Sequence, residues 1–209
     1  MTSDTGRPLR ADARRNREKI LSTAIRVFAE QGLDARVHGI AEKAGVGTGT
    51  LYRNFPTRER LIVAAHRDEL NRLCDAATAL LATVPPRKAL RDWMSRFIDF
   101  ATGKPGMANA LRAVVDSGNE PCTGSRKRIM TALTALLGAA AAADGIRSDI
   151  GAPDMFAALT GVALACGEPG QRERAERLLD LILSGCGALT TSSTSVSSES
   201  PPPSPTTAA

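Results

Sequence analysis

Thr48, Thr50, Arg53 and Asn54 lie within one seven-residue window and end in hydroxyl, guanidinium or amide groups. Groups of that kind hydrogen-bond phosphate oxygens and the edges of bases. They can act together only from one face of a helix. Leu51 and Phe55, four residues apart, define the inward side and leave the polar tips to solvent. The flanking residues delimit that helix. It spans Thr48 to Asn54, Pro56 ends it, and Thr57 caps the next one. Just upstream, Ile40, Ala41 and Ala44 give a short helix one apolar face, Gly45 supplies the positive φ that turns the chain, and Val46 drops back into the core. A short helix, a glycine turn and a second short helix are the parts of a helix-turn-helix that reads DNA.

Charge is distributed to match. Residues 1–60 hold 12 Lys and Arg against 7 Asp and Glu, whereas from residue 61 onward the two classes balance at 15 each, so the whole net charge of +5 sits beside this window. Arg7, Arg10, Arg14, Arg15, Arg17 and Lys19 form a basic arm leading into the first helix, suited to lie along a polyanion and release its counterions.

Other chemistries fail on spacing. The only histidines are His38 and His66, and Cys74 is eight residues from His66, about 12 Å along a helix, too far for a nucleophile and its base. Asp92, Asp99, Asp116 and Asp180 are isolated among helical neighbours and read as solvated or salt-bridged. The run Gly45-Val-Gly-Thr-Gly follows no strand and precedes no Lys-Ser/Thr, so its glycines serve a turn and not a phosphate loop. No enzyme, cofactor or metal site is expected. Cys74, Cys122, Cys166 and Cys186 have no zinc or redox spacing; three fall on apolar helix faces, and Cys122, in a Gly/Pro/Ser-rich loop, is the one candidate for an exposed sensor thiol.

These residues resemble the DNA-binding domain of the tetracycline-repressor (TetR) family of bacterial regulators. The likeness runs from Arg17-Glu-Lys-Ile-Leu through Ala24, Phe28 and Gly32, then Ile40-Ala-Glu-Lys-Ala-Gly-Val, then Gly49-Thr-Leu-Tyr-Arg-Asn-Phe-Pro-Thr-Arg-Glu and Leu61. Two positions depart from the family pattern: Gly47 stands where a hydroxyl cap is common, and Arg36 where a small hydroxyl or proline is common. Thr48, Thr50 and Asn54 are assigned to base edges or nearby phosphates. The resemblance adds Tyr52 and Arg58 as backbone-holding residues, with Arg36 and Arg14 as electrostatic contacts. Tyr52 also neighbours Leu51, so a core position is the competing assignment.

Beyond the reader, periodicity predicts helix almost throughout. A long linker helix from Thr57 carries Leu61, Ile62, Ala65, Leu70, Leu73, Ala77, Leu80 and Val84 until Pro85 and Pro86. Five more amphipathic segments follow, near residues 90–101, 107–117, 125–144, 153–166 and 175–186. The fold expected is all-α: a three-helix reader joined by the linker helix to a body of about six helices. The divisions expected are 1–56 for the reader, 57–189 for the body, and 190–209 for a disordered Ser/Thr/Pro tail that cannot bury enough apolar area to offset ordering. No apolar run approaches the roughly 18 residues of a membrane helix, and the start lacks a secretory signal. The expected location is cytoplasmic.

Trp93, Phe97, Met107, Leu111, Met130 and Phe156 are soft, adaptable side chains suited to a cavity for an apolar effector, with plain core packing as the alternative. Leu159 and Val162 on one late helix and Leu178, Leu181 and Ile182 on the next exceed what a single buried stripe requires. A two-fold homodimer packing these helices into a four-helix bundle accounts for them, as the resemblance also implies. The function expected is a dimeric repressor, released from a palindromic operator in double-stranded DNA by a small hydrophobic effector. The alternative is an interaction or scaffold protein that binds nucleic acid without sequence preference.

Overall fold

Proline and glycine set the helix limits in the computed structural model, which describes residues 6–102, 105–116, 124–143, 146–168 and 170–187. Among these are nine α-helices and no strand: α1 (Gly6–Gln31), α2 (Val37–Ala44), α3 (Thr48–Asn54), α4 (Arg58–Thr83), α5 (Pro86–Thr102), α6 (Pro105–Asp116), α7 (Ser125–Ala142), α8 (Ala152–Ala165) and α9 (Arg172–Gly185). A 3-10 turn at Gly32–Asp34 follows α1. Pro86 and Pro105 open α5 and α6, where a missing N–H costs nothing. Gly45 at φ 65° closes α2, its N–H turned back to the Ala41 and Glu42 carbonyls. The all-helical architecture expected from periodicity is the one observed.

One boundary moves. The basic arm is not a separate segment, because α1 begins at Gly6 and carries Arg14, Arg15, Arg17 and Lys19 as a continuous helix. Pairs one turn apart support it, Arg14 with Glu18 at 3.8 Å and Arg15 with Asp12. Cys122 and the Ser/Thr/Pro tail lie outside the described residues.

Two apolar cores share α4. The first joins Ile20, Leu21, Ala24 and Phe28 of α1 to Ile40, Leu51 and Phe55 around α2 and α3, and to Leu61, Ile62 and Ala65 of α4. The second starts at Leu70 and gathers the rest of α4 with α5, α7, α8 and α9 around Trp93, Met94, Leu133, Leu136 and Leu159. The first also contains Met107, Ala110 and Val114 of α6, so a helix counted with the body by sequence completes the core of the reader.

That junction is tight because of two glycines. A Cβ on Gly106 would lie 2.4 Å from the Phe28 carbonyl oxygen and 2.8 Å from that of Ala29, so α6 begins against the bare C-terminal end of α1. Gly32, at φ 54°, meets Gly106 across the same contact. The positive N-terminal end of α6 thereby faces the negative C-terminal end of α1, a favourable arrangement of dipoles.

α9 is tied to α5 by charge. The Arg91 guanidinium bridges Glu176 at 2.6 Å and Asp180 at 2.5 Å. Glu176 also accepts from Ser95 at 2.9 Å and pairs with Arg172 at 2.7 Å. Burial alone would raise the Glu176 carboxyl, but the hydrogen bonds from Arg91 and Ser95 and the Arg172 charge hold it below the usual range. This pairing fixes the rotation of α9 and leaves Leu181 pointing away from the protomer.

Candidate DNA interface

α3 owes its position to Leu51, fully buried, and Phe55, almost so. Gly47 at its N-terminus supplies no side-chain cap; its carbonyl instead accepts from the Thr50 and Leu51 N–H groups at 2.9 and 3.1 Å. The Thr48 hydroxyl faces back to the preceding helix, 3.2 Å from His38 Nδ1. This contact braces α3 against α2.

The outward face carries Tyr52, 46% exposed, with Arg53 beside it. The core alternative for Tyr52 is thereby ruled out. Thr50 is half-buried, and Arg14 and Arg36 are exposed on the N-terminal side of the reader. Arg53 was not among the residues assigned a contact by sequence, although its exposure on α3 was legible there.

Two assignments made from sequence meet a different geometry. The Asn54 amide donates 2.9 Å back to the Thr50 carbonyl, so the side chain folds along its own helix and turns toward α1 and α4. Arg58 lies half-buried over the Phe28 ring, 5.6 Å from its centroid. Its guanidinium donates to the carbonyls of Leu33 at 2.9 Å and of Gly32 and Ala35 at 3.4 Å. Arg58 therefore caps the 3-10 turn that follows α1. Spacing in the chain could not reveal this, since the partners lie 23 to 26 residues away.

The six residues read as an effector pocket do not converge. Trp93 is fully buried, donates 2.8 Å to the Leu73 carbonyl and stacks on Phe97 at 5.9 Å. Phe97 meets Phe156 edge-on at 5.9 Å, and Met130 packs at the margin of the same core. Met107 and Leu111 belong to the reader core instead. The composition of α6 marks it as apolar but does not say which core its apolar face enters.

The apolar surplus of α8 and α9 is also redistributed. Leu159 and Val162 are buried within the protomer, and Leu178 and Ile182 are partly buried against the body core. On these two helices Leu164 and Leu181 are the large apolar side chains left uncovered, 82% and 67% exposed. On α8, Leu164 is flanked by Ala157, Gly161 and Ala165, all exposed, which makes a smooth face.

The His66 ring lies tilted against Phe100, centroids 5.3 Å apart, and burial pushes its pKa down. Burial pushes the Cys74 and Cys186 thiols up, away from reactivity. No cluster of three potential metal ligands occurs among the described residues. No described helix is long and apolar enough to cross a membrane.

Residues 20–65 match the family described as bacterial regulatory proteins of the tetR family, and residues 85–188 match the C-terminal domain of SbtR-like transcriptional regulators. A TetR transcriptional regulator from Streptomyces coelicolor is 62% identical, with a TM-score of 0.77 over 83% of this chain and 99% of that one. The chain belongs to the TetR family of transcription regulators. A second TetR regulatory protein, from Mycobacterium vanbaalenii, is 34% identical with a TM-score of 0.72 over 87% of this chain and all of the other. The repressor KstR of Mycolicibacterium smegmatis is 38% identical over 80 residues, 37% of this chain. Those residues span about two fifths, 39%, of that curated relative. In this TetR-family chain the tetR match covers the second half of α1, all of α2 and α3, and the start of α4.

Proposed function

We propose that the chain is a sequence-specific repressor that acts in the cytoplasm as a homodimer on a short palindromic operator and is released by a small hydrophobic effector. The observation that carries this reading is the outer face of α3. Its inward residues are sealed in the reader core while Tyr52 and Arg53 stand exposed, within residues 1–60, which hold all the excess positive charge. Thr48 and Thr50 contact base edges or adjacent phosphates, Tyr52 and Arg53 hold the backbone, and Arg14 and Arg36 add electrostatic attraction. Arg58 and Asn54 support the reader from within. The names of relatives such as KstR favour repression.

One seven-residue helix touches few base pairs, so selectivity requires two readers about 34–36 Å apart on one side of the duplex. The exposed face of Leu164 and Leu181, with the small residues of α8, is the surface on which two copies pair, and Leu178 and Ile182 flank it. The effector enters the body beside Met130 and Phe156, the members of the predicted set that are only partly buried in its core. No catalytic step is part of this function.

Selection of bound fragments from random duplex DNA, followed by salt titration on the selected and a scrambled site, tests the reading. Specific binding should exceed non-specific binding by about a thousandfold or more. Equal affinity for both duplexes would overturn it in favour of a non-specific nucleic-acid binder. Tyr52→Phe should weaken binding to both duplexes, as loss of a backbone contact does.

A further inference from the structure

Beside the reading helix, and apart from the effector site of the body, an open groove of about 740 Å³ runs between α1 and α4 and is bounded at one end by Asn54 and the residues that link α3 to α4. Its size falls within the range of small-molecule sites, about 300–1,000 Å³. The floor is apolar: Leu21 and Phe55 are buried, with Val63 and Ala64 partly so. The rim is cationic. Arg17, Arg60 and Arg67 line it, all exposed, and none has a carboxylate partner among the described residues. Asp68 also lines it, but its charge is already matched by Arg72 at 2.8 Å.

Residues 60, 64, 67 and 71 recur at helical spacing, so the lining of α4 is one stripe about 16 Å long. Arg17 lies over the Phe55 ring, 4.6 Å from the centroid, so one cation is held where apolar floor meets charged rim. We infer that this groove binds an amphipathic anion, its carboxylate held by the arginine rim and its hydrocarbon chain laid along the apolar floor. A neutral hydrocarbon leaves the guanidiniums without a counter-charge, and a compact inorganic anion leaves the floor wet. An acid with an apolar tail satisfies both, and guanidinium forks match carboxylates in two-point hydrogen bonds.

The test uses the full chain, isotope-labelled, titrated with decanoate and separately with decanol, and read by two-dimensional NMR. Signals of Leu21, Phe55 and Ala64 should shift with decanoate, and decanol should bind at least tenfold more weakly. The Trp93 indole, enclosed in the body core, reports uptake at the body site instead. Arg60→Gln with Arg67→Gln should weaken decanoate at least tenfold, whereas Arg96→Gln, exposed on α5 outside the groove, should not. Both substituted arginines of the double variant are exposed, and the comparison of acid with alcohol on the unsubstituted chain needs no variant. Equal binding of decanol and decanoate, shifts confined to the surroundings of Trp93, or undiminished affinity in the double variant would each overturn the proposal. No duplex enters these measurements, so their outcome is separate from that of the operator experiment.

Discussion

Replacing Gly106 by Ala tests the most demanding contact in the molecule. The added Cβ would stand 2.4 Å from the Phe28 carbonyl oxygen, 2.8 Å from that of Ala29 and 3.0 Å from the Gly32 nitrogen. All three are backbone atoms and cannot rotate aside. To restore even 3.0 Å, the nearer carbonyl must retreat by about 0.6 Å, the difference between 3.0 and 2.4 Å, which moves α6 off the end of α1. Overpacking of that kind costs about 1–3 kcal/mol. Alanine recovers part of this through helix propensity, up to about 1 kcal/mol in a helix interior but less at the second residue of α6. The net loss is about 1–2 kcal/mol, which for a chain of this size lowers Tm by roughly 2–8 °C. Thermal unfolding followed by circular dichroism measures it, with Gly138→Ala as the opposite case. Gly138 lies within α7 and an added Cβ there meets nothing within 4 Å, so alanine should stabilise the protein by up to about 1 kcal/mol. Should Gly106→Ala melt at or above the parent temperature, the close approach of α6 to α1 would be refuted.

Arg58→Gln removes a charged donor from the carbonyls of Gly32, Leu33 and Ala35 and should destabilise the protein by about 1–3 kcal/mol in chemical denaturation; unchanged stability with weakened duplex binding would return Arg58 to the DNA contacts. Leu164→Glu combined with Leu181→Glu places two charges on the uncovered face of α8 and α9 and should yield a folded monomer by sedimentation, whereas an unaltered dimer would place the interface elsewhere. His66 is held below its ordinary value of 6.5 by burial, so the unfolded chain binds the proton more readily. The stability this group permits is therefore complete above about pH 6.5 and declines as the pH falls below it. His66→Leu should flatten that part of the Tm profile between pH 7.5 and 5, and an identical slope in both proteins would contradict the assignment.

Much of the reader was legible because its signals are local. Gly45, Pro56 and Thr57 act on their own neighbours in the chain, and the four-residue interval from Leu51 to Phe55 fixes which side of α3 is buried whatever lies beyond it. The resemblance through residues 17–61 rests on the same positions. Exposure of Tyr52 follows from that interval too, although its apolar ring left a core position open until the packing was seen.

What local pattern cannot supply is the identity of a distant partner. Arg58 looks like any exposed cation at a helix start until the 3-10 turn after α1 arrives with carbonyls to satisfy. Asn54 has the tip of a base reader, yet its own helix takes the amide. Met107 and Leu111 share the softness of Met130 and Phe156 but enter the other core, because Gly106 lets α6 abut α1.

The amino-acid order by itself determined the helices, most of their limits and the polar face of the reader, since these depend on backbone preferences and on spacings of three and four residues. Tertiary structure alone decided which apolar face is covered and which charge is neutralised. Leu159 and Leu164 sit on one helix with similar side chains, and only the packing of α8 against α5, α7 and α9 buries the first and leaves the second bare. The physical reason is that rotation of a helix about its axis is set by all its neighbours at once.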